Sequence, residues 1–161
     1  MSGPNSWSAR VVLVLPPVGK VVLQPIEANA LLEVAYVAMA IDREVPEEEL
    51  DAFRNLALRL RGLVDPEAPP LSELDIETLL GTFARRVPTG RELVRLKEIG
   101  ASLTSDSTRR LAFQLAFAMT LVDFATTDEE IALEGDIRDA FGIDVADAKR
   151  LRDDVFAKIA E

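Results

Sequence analysis

The run from Leu111 to Val122, LAFQLAFAMTLV, contains two polar side chains in twelve residues, Gln114 and Thr120. A helix that is apolar all round belongs in the middle of a core. Leu31 to Asp42, LLEVAYVAMAID, has the same build, and each run finishes at an aspartate, Asp42 or Asp123. From Pro25 onward the pattern stays helical. A first helix is predicted from about Ile26 to Ile41. A second starts at Pro46, a residue suited to the first helical position, with Glu47, Glu48 and Glu49 near the positive end of its dipole. Its buried stripe is Leu50, Phe53, Leu56, Ala57 and Leu60, and Gly62 with the proline-rich stretch 65–70 ends it.

Ser72 followed by Asp75 forms a capping-box pattern for a third helix, which Pro88 stops. Thr89 and Glu92 are expected to cap a fourth. The polar stretch Thr104 to Thr108 separates it from the central fifth helix. Thr127 with Glu130 opens a sixth, closed by Gly142, and Asp144 caps a seventh that keeps a 3.6-residue spacing through Val145, Ala148, Leu151, Val155 and Ile159.

The first 24 residues read differently. Val11 to Leu15 and Lys20 to Gln24 are two β-branched runs around Pro16-Pro17-Val18-Gly19, a sequence suited to a type I turn, so a β-hairpin is expected. Such a hairpin, apolar on both faces, either packs across its own helices or docks a protein partner or a second copy through Val12, Val14, Val21 and Leu23. The expected architecture is therefore an all-α domain over 25–161, about seven helices, with a tail and β-hairpin over 1–24.

Composition narrows the chemistry. The chain has 161 residues, 28 acidic against 18 basic side chains and a net charge of −10, which repels phosphate backbones and argues against nucleic-acid binding. Arg85, Arg86, Arg91, Arg95 and Lys97 cluster locally, as a basic face or as ordinary solvated helix surface. There is no cysteine and no histidine. Disulfides, thiol nucleophiles, imidazole bases and ordinary zinc sites are thereby removed, and a metal site would need oxygen ligands, favouring calcium or magnesium. No run reaches the roughly 18 to 20 apolar residues of a membrane span. VVLVL is too short for a signal peptide and lacks a small-residue cleavage site, so a cytoplasmic location is expected.

A shift of 81 residues lays the first two helices on the fifth and sixth. Leu32 meets Phe113, Ala35 meets Ala116, Tyr36 meets Phe117, Asp42 meets Asp123, and Glu49 meets Glu130. Two helical-hairpin halves with their apolar first helices side by side are expected. An apolar helix ending in Asp, a short loop, then Glu seven residues after that Asp, repeated once, resembles the TerB-like domain of the tellurite-resistance protein family, over about 25–160. The resemblance implies an all-helical binding or scaffolding module of stress-response and phage-defence systems, whose acidic loops have been proposed to hold divalent metal. Where that family commonly carries Asp-Gly, this chain has Asp42-Arg43 and Asp123-Phe124.

Asp42, Glu49, Asp123 and Glu130 are thus the candidate ligands for calcium or magnesium, although their spacing does not match the EF-hand loop. The same carboxylates stand where they can cap helix N-termini. No residue set marks a catalytic centre, so an enzyme is not expected. The apolar first and fifth helices can equally be core or the walls of a cavity for an apolar ligand.

Overall fold

The computed structural model describes residues 7–17, 21–40, 47–88, 90–120 and 128–160. Among these residues eight α-helices follow one another: α1 (Trp7–Arg10), α2 (Pro25–Ala40), α3 (Glu47–Val64), α4 (Glu73–Arg86), α5 (Glu92–Ser102), α6 (Asp106–Thr120), α7 (Asp128–Phe141) and α8 (Val145–Ala160), with a 3-10 turn at Val11–Val14 after α1. The all-helical class is as expected. No described helix is long and apolar enough to cross a membrane.

The β-hairpin is absent: 7–14 is helical, and no strand occurs among the described residues. Residues 18–20, the far half of the expected turn, lie outside them. The reason is visible in the spacing. Val11, Val14 and Leu15 stand at i, i+3 and i+4, so one helical turn buries all three and leaves Leu13 outside at 45% exposure. A strand would have sent Val14 to the face opposite Val11 and Leu15. The Leu15 amide donates to the Val12 carbonyl at 3.0 Å, closing the turn. The segment is strapped along α3, where Asn55 Nδ2 donates to the Ser8 carbonyl at 2.8 Å and the Leu23 amide to the Leu63 carbonyl at 2.9 Å.

At the centre, α2 and α6 lie against each other over the most extensive helix contact among the described residues, and each buries more than half of its residues. Each then packs on its successor, α2 on α3 and α6 on α7. The 81-residue register continues into polar contacts. Thr108 Oγ1 of α6 donates to Glu27 Oε2 of α2 at 2.9 Å, and these two positions are equivalent under the shift. Tyr36 of α2 meets Phe83 of α4 at 5.7 Å between ring centroids, and its counterpart Phe117 of α6 meets Phe156 of α8 at 5.5 Å. Each half therefore uses the same position on its central helix to seat a third helix.

Local signals set several ends. Ser72 and Asp75 form the capping box, Asp75 N to Ser72 Oγ at 3.1 Å and Ser72 N to Asp75 Oδ2 at 3.0 Å. These bonds hold the Asp75 carboxyl below the usual carboxylate range. Asp144 caps α8 by accepting from the Asp147 amide at 2.8 Å. Gly142 closes α7 at φ +68°, with the Ile143 amide donating back to the Arg138 carbonyl at 2.9 Å. Two expectations shift. The residue capping α5 is Arg91, which makes no side-chain cap bond, while Thr89 lies outside the described residues. Helix α6 begins at Asp106, well before Leu111, because Thr108 turns inward onto Glu27 and belongs to the buried face.

Helices α5 and α7 cross closely at Gly100. A Cβ there would stand 2.5 Å from the Ala140 carbonyl oxygen and 2.9 Å from Phe141 Cδ1. Because the first obstacle is backbone, the helix itself must move. Gly100→Ala is expected to cost about 2 kcal/mol, read as the shift of a denaturant midpoint, despite alanine's better helix propensity. A more stable variant would show the crossing to be looser than these distances.

Candidate functional site

Two features stand out when the described polar and concave surfaces are followed from the residues upward. The first is a buried ionic cluster. Glu33 lies on α2 in the middle of the apolar run, fully inaccessible to solvent. A bare carboxylate there would be untenable, and it is held by two arginines from outside the helix. Arg95 of α5 forks onto it, Nη2 to Oε1 at 2.8 Å and Nε to Oε2, while Arg86 at the end of α4 reaches Oε1 at 3.4 Å. The bond to Glu33 raises the Arg95 pKa further above its ordinary value. Under the 81-residue shift Glu33 corresponds to Gln114, a buried polar residue of α6, whose Nε2 donates to the Leu151 carbonyl of α8 at 3.2 Å. Each central helix thus carries a buried polar side chain at this height, tied to a later helix of its own half.

The second feature is a groove of about 540 Å³ between α2, α3, the proline-rich segment 65–71 and α4. Ala28 and Leu32 of α2, Ala57 and Leu60 of α3, and Leu71 and Leu79 supply most of its surface. Alanines at 28, 57 and 68 line it, and larger side chains at those positions would narrow it. Asn29, Arg61, Asp65, Asp75 and Thr78 are its polar members. No α6 residue lines it, so it is distinct from the α2/α6 seam where a cavity for an apolar ligand was expected.

The expected site residues fall as follows. Asp42 and Asp123 lie outside the described residues, as does the side chain of Glu130, whose backbone is in the first turn of α7. Glu49 is buried in the first turn of α3 at 1% exposure. Among the described residues no three carboxylates converge as metal ligands do. Of the expected docking residues, Val14 and Leu23 are buried in the core, Val12 is half-buried against it, and Val21 is 44% exposed. The basic cluster divides, with Arg86 and Arg95 turned onto Glu33 and Arg85, Arg91 and Lys97 exposed. Sequence reasoning passed over Glu33, although it is the one charge inside LLEVAYVAMA and aligns with Gln114.

Asp136 on α7 has a carboxyl pKa pushed upward, chiefly by burial and then by the neighbouring Asp139, against an opposing pull from Lys97. A raised folded-state value means that the folded protein holds the proton more tightly, so stability is lost as pH rises from the unfolded carboxylate value through the folded one. Asp136→Asn should therefore raise the melting temperature at pH 7 and give no gain at about pH 3, where both forms are uncharged. An equal effect at both pH values would show that the charge is not the cause.

No family model, curated protein or solved structure matches the chain.

Proposed function

We propose that this chain is a non-enzymatic helical interaction module of the TerB-like kind, which joins a larger assembly by seating a protein partner in the groove between α2, α3 and α4. The observation that carries this reading is how the polar groups are used. Glu33, Thr108 and Gln114, three of the buried polar side chains, are committed to bonds between helices, whereas the large described concavity is walled mainly by aliphatic side chains. A reaction centre needs polar groups left available at a cavity, and a docking site needs an apolar cavity with a polar margin. The duplicated α2/α3 and α6/α7 packing supports the kinship, since the family resemblance rests on that repeated helix pair.

The test is the state of the protein at native abundance. Light cross-linking followed by size-exclusion chromatography with mass detection should place it in a stoichiometric complex. Elution as a free 17.6 kDa chain under every growth condition tried would sink the reading.

A further inference from the structure

We infer that the groove receives an amphipathic helix whose apolar face is bordered by lysines or arginines; this rests on the interaction-module reading and adds the partner's chemistry.

Two independent observations fix that chemistry. The first concerns backbone. An extended peptide recognised by strand addition needs free N–H and C=O groups on its host. Three walls of the groove are helices, whose backbone groups are spent internally. The fourth, residues 65–70, offers no donor: Asp65 N bonds to the Arg61 carbonyl at 3.0 Å, Glu67 N to Asp65 Oδ1 at 3.0 Å and Ala68 N to the Asp65 carbonyl at 3.0 Å, and Pro66, Pro69 and Pro70 have no N–H. An extended occupant thus finds no donor along 65–70 with which to build a strand ladder, whereas a helix brings its backbone bonds with it.

The second observation is charge. Between Arg61 and Arg85 the chain holds Asp65, Glu67, Glu73, Asp75 and Glu77 and no basic residue, and this stretch forms the 65–71 wall and most of α4. Glu73 is neutralised by Arg54 at 3.0 Å. Asp65 and Asp75 accept from backbone amides, and among the described residues no carboxylate or arginine is hydrogen-bonded to either. Glu67 is exposed on the 65–71 wall, whereas Glu77 stands on the face of α4 away from the groove-lining Asp75, Thr78 and Leu79. Arg61, the one cation in the lining, donates to the Pro69 carbonyl at 2.7 Å and offsets part of the Asp75 charge, which leaves Asp65 and Glu67 as the acids of that wall. The margin also carries exposed apolar side chains, Ile26 on α2 at 67% and Leu74 on α4 at 71%, which extend the apolar strip beyond the groove. An apolar trough with an acidic border complements a helix with an apolar stripe and basic flanks.

The experiment is fluorescence anisotropy of the full chain with three labelled fifteen-residue helical peptides: leucine-faced with lysine flanks, leucine-faced with glutamate flanks, and alanine-faced with lysine flanks. The first should bind at 1:1 and at least about tenfold more tightly than either other. Two surface variants read the location. Thr78→Trp, from an exposed position on the α4 wall, fills the groove and should weaken the first peptide about tenfold with an unchanged melting temperature. Glu67→Lys should weaken it about twofold or more and improve the glutamate-flanked peptide. Equal binding of the alanine-faced peptide, or indifference to Thr78→Trp, would overturn the inference, since attraction to the −10 chain alone would explain the binding. Decanoate binding by calorimetry where no peptide binds, or a homodimer that Thr78→Trp dissociates, would also overturn it and name the other occupant. A native complex retained by Thr78→Trp removes the groove while the module stands; peptide binding without any native complex removes the module.

Discussion

Arg95→Met should cost about 3 kcal/mol of folding stability, the lower end of what breaking a buried pair costs, and lower the melting temperature by roughly 6 to 12 °C in a chain of this size. The loss comes less from the contact than from what remains. Glu33 has no exposure, so without the forked guanidinium of Arg95 its carboxylate keeps only Arg86, at 3.4 Å and on one oxygen. Arg86 is itself 44% exposed and is drawn equally toward water. Lysine in place of Arg95 should recover little, because a point charge cannot bridge both oxygens. The double variant Glu33→Leu with Arg95→Met is expected to regain most of the loss, since neither charge is then stranded. If the single variant unfolds within about 0.5 kcal/mol of the parent by chemical denaturation, Glu33 is not held as described.

That cluster also shows how far a sequence reaches. Three signals encoded within about one turn were legible: the Ser72/Asp75 box, the Asp144 cap and the Gly142 stop depend on residues three to five apart, and all three form, whereas the expected Thr89 cap gave way to Arg91. The repeat was legible as well, because an 81-residue shift needs only apolar positions to recur. The N-terminal segment misled, since β-branched residues and a proline turn outweighed the i, i+3, i+4 placement of Val11, Val14 and Leu15, and burial against α3 and α6 decided in favour of the latter. The groove could not be foreseen. Its walls come from residues 25 to 79, and its existence depends on how far three helices splay, a quantity no local pattern carries. Glu33 was readable as an anomaly, but its partners are 53 and 62 residues away.

Phe83→Ala should be the most damaging single truncation in α4, at about 3 to 5 kcal/mol. The ring is fully buried and joins three helices, lying 5.7 Å from Tyr36 of α2 and, edge-on, 6.3 Å from Phe53 of α3. Ile76 is the other buried residue of α4, so the helix docks on two side chains and loses the larger. The Ser72/Asp75 box should hold the first turn together while docking fails. Hydrogen exchange is therefore expected to speed up most in the last two turns of α4. Phe156 seats α8 on Phe117 as Phe83 seats α4 on Tyr36, yet it is 45% exposed, and Phe156→Ala should cost no more than about 1.5 kcal/mol. Equal losses for the two would mean that the pseudo-equivalence of the halves, and not burial, sets the energetics. The groove gives a second readout, because α4 supplies one of its walls. Phe83→Ala should weaken the lysine-flanked peptide without altering any residue that lines the groove, whereas Phe156→Ala, in the other half, should leave that binding as it was.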